Sequence, residues 1–297
     1  MNVVSASKRV LITGIEGFTG YYLQKHLEHE GFEVIGTSHK KYEKFIHLDI
    51  TQKDSCVAVL KAVNPDYIIN LAGISYVGHG SALDFYNVNT IGAHNLLQAV
   101  VEIGTTPKKI ILASSATVYG NQHTEVLDET LCPKPVEHYG ISKYAMECIA
   151  SQYFDILPII IARPFNYTGR GQSLDFVIPK IVQHYKEKRE AIDLGNIHVA
   201  REFNSVYYVC RAYGKLLTSD ARSVIVNICT GRIVTVENIL AMMNEIAGYT
   251  IRINTNPALL RHHEIPILRG STERLYSIIG HLEDMPLVDL LKEMYGE

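Results

Sequence analysis

Tyr139 and Lys143 are the two side chains whose types and spacing most clearly suggest catalytic chemistry in this sequence. They lie four residues apart, so on a helix they share one face and an ammonium can sit beside a phenol. A neighbouring cation favours the phenolate and lowers the pKa of the phenol from about 10. The pair therefore predicts a tyrosine that acts as a general acid or base near neutral pH. Because this spacing also occurs by chance on amphipathic helices, the prediction depends on other segments.

Ser115 is the third candidate catalytic residue, in the run Ser114-Ser115-Ala116-Thr117. The run follows a strand-like apolar stretch, and a hydroxyl at a strand end can donate to a substrate carbonyl or alkoxide. The rival interpretation is an acyl-transfer hydrolase, whose serine lies in a Gly-x-Ser-x-Gly turn. The nearest match to that turn, residues 171–175, lacks the second glycine, which argues against a hydrolase.

A glycine-rich turn near the N-terminus predicts a site for a dinucleotide. The apolar run Arg9–Thr13 is typical of a buried parallel strand, and residues 21–30 carry helix-period apolar positions. Between them lies a Gly-x-x-Gly-x-x-Gly turn, close to but not identical with the Gly-x-Gly-x-x-Gly fingerprint. Glycine lets the backbone approach a pyrophosphate, whose charge is met by amides at the helix N-terminus. The turn residues expected to contact the cofactor are Gly14, Gly17, Phe18, Thr19 and Gly20.

The end of the second predicted strand, residues 33–37, indicates which dinucleotide binds. A cofactor without a 2′-phosphate usually finds an Asp or Glu there, which accepts a hydrogen bond from the ribose. This chain has Thr37-Ser38-His39-Lys40-Lys41, and hydroxyls and cations suit a 2′-phosphate. We therefore predict NADP(H) rather than NAD(H), with Ser38, His39 and Lys40 as contacts. The alternative is that the two lysines are solvated loop charges.

Strand-like and helical stretches alternate through the first half of the chain, which predicts an α/β fold. The strand-like runs after the first unit fall at residues 67–71, 109–113 and 158–162, and the helical stretches at 53–63, 90–103 and 139–154. This order predicts a Rossmann-type, doubly wound parallel sheet, whose ligands bind outside the carboxyl ends of the strands. Three residues that follow a strand end, Leu71, Ala72 and Gly73, are further expected cofactor contacts.

The pattern becomes irregular after about residue 165, which predicts two domains. We expect residues 1–165 to form the NADP(H)-binding Rossmann domain. Residues 166–297 are then mainly a smaller C-terminal α/β substrate lobe, with some segments returning to the Rossmann sheet.

The composition excludes several classes of protein. Of 297 residues, 47% are hydrophobic, and the formal net charge is −3 with both signs mixed, so we expect no nucleic-acid or membrane partner. The N-terminus has no apolar signal segment and no apolar run approaches ~18 residues, which predicts a cytoplasmic protein. The five cysteines are scattered, so neither a disulfide framework nor a zinc site is implied, and no metal is expected. The adjacent His262 and His263 indicate a loop that contacts an anion or solvent.

Together these motifs resemble the extended short-chain dehydrogenase/reductase family in its nucleotide-sugar-modifying branch, over roughly residues 9–275. The resemblance implies that Asp49 and Ile50 hold the adenine and that Lys143 holds the nicotinamide ribose. It also implies that Ser115 and Tyr139 contact the reacting sugar oxygen. The residues that it places around the nucleotide-sugar substrate are Ser75, Thr117, Asn166, Arg201 and Arg261.

One position narrows the chemistry that the resemblance implies. Dehydratase members have an acid–base carboxylate after the catalytic hydroxyl, because elimination of water needs a second proton carrier. Here Ala116 and Thr117 stand in those places, which leaves ketosugar reductases and 4-epimerases. Residues 114–120 look like the galactose-type epimerases, whereas residues 259–271 are more similar to reductases that act on GDP-4-keto-6-deoxymannose.

We therefore expect NADPH-dependent reduction of the 4-keto group of a nucleotide-linked 4-keto-6-deoxyhexose. The alternatives are an NAD-dependent nucleotide-sugar 4-epimerase and, in another class, a catalytically silent NADP-binding regulatory protein. Family members commonly form homodimers through the helices at 90–103 and 139–154, where Leu96 and Ile149 are suitable apolar positions but fit a core equally well.

Three positions depart from the family pattern. His138 directly precedes the tyrosine, where a small residue or proline is usual, and it either tunes the phenol or packs. Glu202 replaces the aspartate that usually follows Arg201, and Tyr208 replaces a later aspartate. These changes leave the details of the substrate lobe open.

Overall fold

A computed structural model of the chain describes residues 8–75, 81–259 and 265–296. The elements up to residue 164 are β1 (Arg9–Thr13), α1 (Phe18–His29), β2 (Glu33–Ser38), β3 (Ile46–His47), α2 (Lys53–Val63), β4 (Tyr67–Asn70), α3 (Ala82–Phe85), a π-helical segment (Tyr86–Ile91), α4 (Gly92–Ile103), β5 (Lys109–Ala113), a 3-10 turn (Ala116–Tyr119), α5 (His138–Ser151) and β6 (Ile159–Pro164).

Shorter strands and five further helices follow in the described part of the chain. They are β7 (Tyr167–Thr168), α6 (Val177–Lys186), β8 (Ala191–Leu194), β9 (Ala200–Glu202), β10 (Asn204–Ser205), α7 (Val206–Thr218), β11 (Val224–Ile228), β12 (Ile233–Thr235), α8 (Val236–Ala247), β13 (Arg252–Thr255), a 3-10 turn (Pro257–Leu259), β14 (Ile267–Leu268), α9 (Glu273–Ile279) and α10 (Leu287–Tyr295).

Seven strands form one sheet in the order β11-β6-β5-β4-β1-β2-β3, and every neighbouring pair is parallel. The chain winds outward from β1 in both directions, through β2 on one side and β4 on the other. Such a reversal opens a crevice at the carboxyl ends of the strands, where ligands bind. The predicted doubly wound parallel sheet is confirmed.

Alternating side chains of the strands bury the two faces of the sheet. In β1, Val10 and Ile12 pack in one core cluster and Leu11 in another, as the two-residue period of a strand requires. Helices α1 and α7 cover the first face, and α2, α4 and α5 cover the second. Leu96 of α4 is fully buried in this second cluster, whereas Ile149 of α5 is half-buried. Leu96 is therefore a core residue.

After residue 166, α6, α8 and α10 pack with β8 around a separate apolar cluster, and β13 pairs with β8. Two other elements of this part of the chain join the main sheet: α7 covers one of its faces, and β11 pairs with β6 at its edge. The helices of the described residues include none that is long and apolar enough to cross a membrane.

Glu202 and Tyr208, the two positions noted above in the substrate lobe, are both buried and hydrogen-bonded. The fully buried carboxylate of Glu202 accepts hydrogen bonds from the amides of Gly270, at 2.6 Å, Thr230, at 2.8 Å, and Gly231, at 3.1 Å. The Tyr208 hydroxyl donates to the carbonyl of Cys229 at 2.6 Å. Both residues therefore fasten the end of β11 to the segments around it.

The turn between β1 and α1 is shaped by Gly14. Its φ is +67°, and a Cβ there would lie 2.9 Å from the backbone of Ala72, closer than real contacts allow. The helix that follows has Gly17 as its N-cap, which has no side chain to cap the first turn. The turn therefore leaves backbone amides of α1 open toward the crevice.

Replacement of Gly14 by Ala is expected to destabilise the fold more than the same change at Gly31. Both glycines have positive φ, so each variant costs about 1–2 kcal/mol in backbone strain. Only the alanine at Gly14 also meets backbone atoms, which adds about 1–3 kcal/mol of overpacking. Urea unfolding of the two variants measures the difference. Equal losses of stability would contradict the close contact with Ala72.

Candidate active site

Ser115 lies two residues beyond the end of β5 and caps the 3-10 turn that follows. Its Oγ accepts a hydrogen bond from the amide of Thr117, at 3.2 Å, and another from the Thr117 hydroxyl, at 3.0 Å. The preceding Ser114 donates instead to the buried carboxylate of Glu147. With two donors already on its oxygen, Ser115 has its own proton available for another acceptor.

Tyr139 lies in the first turn of α5, half-buried against the ring of Phe85, whose centroid is 6.2 Å away. A hydrogen bond with Ser115 lowers the pKa of Tyr139, but burial raises it by more, so the pKa is raised overall. The sequence predicts the opposite, because it pairs the phenol with Lys143. In the structure the Lys143 ammonium donates to the carbonyl of Ala113, at 2.8 Å.

Lys143 is buried, and its pKa is influenced by Glu147, which forms an ion pair with Arg163. Burial lowers the pKa of Lys143 to about 8, although Glu147, one turn further along α5, raises it. Glu147 is in turn held by two hydrogen bonds from Arg163, from Nε at 2.9 Å and from Nη2 at 2.6 Å. The Arg163 guanidinium lies over the ring of Tyr119, with its Cζ 4.7 Å from the centroid.

Asn89 joins the loop after β4 to α5, and sequence reasoning missed it. Its amide group accepts from the nitrogen of Ile74 at 2.8 Å and donates to the Ile74 carbonyl at 3.1 Å. It also donates to the hydroxyl of Ser142 at 3.0 Å. A Cβ on Gly73 would lie 2.9 Å from Asn89 Oδ1 and 3.1 Å from Lys143 Nζ, so a larger residue there would displace these two side chains. The available signal was a polar residue on the buried face of a helical stretch.

The predicted cofactor residues of the two loops lie at adjacent strand ends. The Thr13 hydroxyl donates to Asn70 Oδ1 at 2.5 Å and accepts from the amide of Ala72 at 3.2 Å, which places Leu71 and Ala72 beside Gly14.

Phe18 and Thr19 face the short strand β7. The ring of Phe18 stacks on Tyr167 with centroids 6.2 Å apart, and the Thr19 hydroxyl is hydrogen-bonded to the Tyr167 hydroxyl at 2.6 Å. Burial raises the pKa of Tyr167 to about 12. Both turn residues are therefore oriented by β7, a segment that the sequence did not link to the glycine turn.

The carboxylate of Glu16 lies beside the end of β2, a position that sequence reasoning missed. The Ser38 hydroxyl donates to Glu16 Oε1 at 2.7 Å, and His39 Nδ1 lies 3.3 Å from the same oxygen. The other oxygen, Oε2, is buried and has no hydrogen-bond partner among the described residues, and the same holds for Oγ1 of Thr37. His39 and Lys40 are exposed. Glu16 comes from the glycine turn, so its place at this strand end depends on the fold.

The expected adenine contacts lie beyond β3. Asp49 is half-buried, and its Oδ1 accepts from the amide of Thr51 at 3.0 Å and from the Thr51 hydroxyl at 2.7 Å. Ile50 is only 5% exposed, and its carbonyl accepts from Asn95 at 3.2 Å. Their role toward adenine stays a prediction.

The expected substrate residues are less closely gathered. Thr117 lies on Ser115, while Ser75 and Asn166 are exposed. Arg201 donates to the carbonyls of Ala200, at 3.0 Å, and Pro266, at 3.2 Å. The predictions for Arg261 and for the histidine pair at 262–263 fall outside the described residues.

His138 packs on the side of α5 that faces Tyr86. Its Nδ1 is 3.0 Å from the Tyr86 hydroxyl, and the two rings meet edge to face at 5.9 Å. The structure therefore shows a packing contact between His138 and Tyr86.

The residues at the crevice fit a nicotinamide dinucleotide. The glycine turn and the uncapped start of α1 suit a pyrophosphate. Glu16 brings a carboxylate to the end of β2, where the adenosine ribose of a dinucleotide would lie. Gly73 has no side chain, which leaves room beside Lys143.

The family model of GDP-mannose 4,6 dehydratase matches residues 11–294. The chain belongs to the extended short-chain dehydrogenase/reductase family. This confirms the resemblance, and it makes the protein a nucleotide-sugar-modifying member and an NAD(P)-dependent oxidoreductase.

Individual members of the family match the chain over almost its whole length. GDP-6-deoxy-D-talose 4-dehydrogenase of Aggregatibacter actinomycetemcomitans is 35% identical over 292 residues, which are 97% of each chain. GDP-6-deoxy-D-mannose reductase of Pseudomonas aeruginosa is 28% identical and covers 98% of this chain and 97% of its own. The structure of RMD from Pseudomonas aeruginosa complexed with NADPH has a TM-score of 0.86 at 27% identity, with 97% of this chain and 96% of that chain covered.

The lowered pKa of Lys143 is expected to be visible in a titration. With a pKa of about 8, the side chain is an ammonium below that pH and loses its proton as the pH rises through it. Exposed lysines titrate near 10.4. NMR of protein labelled at the lysine ε-carbons measures these midpoints, and Lys143→Arg assigns the signal by removing it. A Lys143 midpoint above pH 10 would contradict the effect of burial.

Proposed function

We propose that this protein reduces the 4-keto group of a GDP-linked 4-keto-6-deoxyhexose, with NADPH as its preferred reductant. The observation that carries the proposal is the hydrogen bond between Ser115 and Tyr139 at the crevice. The group that contacts Ser115 from the next turn is the hydroxyl of Thr117, where a dehydratase would have a carboxylate. Two relatives that match the full length of the chain support the substrate class. One is named a 4-dehydrogenase of GDP-6-deoxy-D-talose and the other a GDP-6-deoxy-D-mannose reductase.

Tyr139 is suited to deliver the proton that ketone reduction requires. When bound, the reduced nicotinamide supplies a hydride to the carbonyl carbon. The oxygen then needs a proton, and the raised pKa of Tyr139 keeps its phenol protonated at neutral pH. The free proton of Ser115 can be donated to the same oxygen and stabilises the negative charge that develops there.

Lys143 is proposed to provide the positive charge of the site. At neutral pH a lysine with a pKa of about 8 is still mostly protonated. The carbonyl of Ala113 fixes its ammonium, at 2.8 Å, on the side of the crevice next to Gly73. There it brings a positive charge to the crevice, and it can donate to a ribose hydroxyl.

The surroundings of Ser115 argue against dehydration. Elimination of water needs a second acid–base group beside the tyrosine, and Ala116 and Thr117 cannot serve. Glu147 is close to Lys143 in the chain, but its side chain is only 2% exposed and is bound by Arg163. Its carboxylate therefore has no access to a sugar. Oxidation or reduction needs only the tyrosine.

NADPH is proposed from the charges at the end of β2. His39, Lys40 and Lys41 are all exposed there and can approach a 2′-phosphate. The structure of a relative with bound NADPH is consistent with this choice.

Asn166, Arg201 and Arg261 are proposed to contact the nucleotide diphosphate, within a substrate lobe formed mainly by residues 166–297. Assembly as a homodimer through α4 and α5 is supported by Val101 and Ile141, which are exposed apolar residues of these helices.

Incubation with NADPH and GDP-4-keto-6-deoxymannose tests the proposed reaction. We expect one NADPH to be oxidised per ketosugar consumed, as followed by absorbance and by chromatography of the sugar nucleotide. A 4-epimerase would instead copurify with NAD and turn over a nucleotide sugar without added cofactor. If NADPH is consumed with none of the 4-keto nucleotide sugars in a panel, the proposal is wrong.

Tyr139→Phe is expected to lower kcat at least about 100-fold, because it removes the proton donor without changing the shape of the site. Tyr86→Phe is the matched control. It deletes a hydroxyl that contacts only His138 among the bonds described, so kcat should stay within about twofold. Steady-state kinetics of both variants, with thermal unfolding to confirm folding, give the comparison. Equal losses in the two variants would show that Tyr139 is not the acid.

A further inference from the structure

We propose that Glu16 accepts a hydrogen bond from the 2′-hydroxyl of the adenosine ribose, so that the site binds NADH as well as NADPH. The inference deepens the proposed function at its cofactor site, and it depends on that proposal only for the binding of a nicotinamide dinucleotide. It concerns a residue that lies in the glycine turn, away from the strand end where the acceptor is usually found.

The fold brings the Glu16 carboxylate to the place where the ribose acceptor is needed. Glu16 lies between β1 and α1, yet its Oε1 is 2.7 Å from the Ser38 hydroxyl and 3.3 Å from His39 Nδ1. Ser38 is the last residue of β2, whose carboxyl end faces the adenosine ribose in doubly wound sheets. The chain has no acidic residue in positions 37–41, so Glu16 takes over that function from the neighbouring turn.

The second oxygen of Glu16 has the properties of an unused acceptor. Oε2 is buried and has no hydrogen-bond partner among the described residues, although the side chain as a whole is 22% exposed. A carboxylate oxygen without a partner is costly when it is shielded from water. Because solvent does not reach Oε2 in this conformation, a ribose hydroxyl at this strand end would satisfy it once the carboxylate turns toward the crevice.

The same contacts weaken the case for exclusive NADPH binding. Ser38, one of the three residues expected around a 2′-phosphate, already donates its hydroxyl to Glu16, and its Oγ accepts from the amide of Lys40 at 3.0 Å. A phosphate would also lie close to the negative charge of Glu16, which repels it. Attraction of the 2′-phosphate is therefore left to Lys40 and Lys41, with His39 beside them. Binding of NADH, which has a free 2′-hydroxyl, therefore depends on Glu16, whereas binding of the 2′-phosphate of NADPH depends on the lysines.

Direct binding measurements with NADH and NADPH test this division. The full-length protein, freed of bound cofactor and without substrate, is titrated by calorimetry. We expect the two Kd values of the unmodified protein to lie within about tenfold of each other. Glu16→Gln should weaken NADH at least about fivefold while NADPH binds equally well or more tightly.

Lys40→Ala is the matched variant on the other side of the same site, and it should weaken NADPH while leaving NADH within about twofold. Thermal unfolding without ligand confirms that both variants are folded. If Glu16→Gln changes the two Kd values by the same factor, or leaves that of NADH unchanged, the inference is wrong. Failure to bind either dinucleotide overturns both proposals, whereas normal binding without ketosugar reduction overturns only the proposed reaction.

Discussion

The buried ion pair between Glu147 and Arg163 is the interaction on which the geometry of the active site depends. Both side chains are 2% exposed, so the pair is stable only if its charges are well satisfied by hydrogen bonds. Arg163 contributes two hydrogen bonds from β6, and Ser114 contributes one from the end of β5. These bonds fix α5 against both strands. Because Glu147 is on the same helix as Tyr139 and Lys143, they also fix the positions of those two residues beside Ser115 and Ala113.

The fold and the approximate site could be predicted because they follow from local patterns. The apolar run of β1 and the alternation of strands and helices are visible in the sequence, and parallel strands place their carboxyl ends on one edge. The raised pKa of Tyr139 and the bridging role of Asn89 could not be predicted. They depend on burial and on contacts between segments that are distant in the chain. Glu16 was hidden for the same reason, since its carboxylate acts at the end of a strand other than its own.

In the proposed function, the crevice serves two chemical tasks along its length. At one end Ser115, Tyr139 and Lys143 handle a proton and the charge that follows its transfer. At the other end Glu16, Ser38 and the cations after it select the cofactor. Glu202, by contrast, is a departure from the family pattern that serves the packing of the lobe.

In the proposed reaction, a hydride from the bound nicotinamide reaches C4 of a 4-keto nucleotide sugar, and Tyr139 supplies the proton. Reaction with NADPH deuterated at the transferable position of the nicotinamide tests it most directly, with NMR and mass spectrometry of the product. The product is expected to contain one deuterium, located on C4 of the sugar. Deuterium at C6, or a C4-inverted sugar that contains no deuterium, would contradict it.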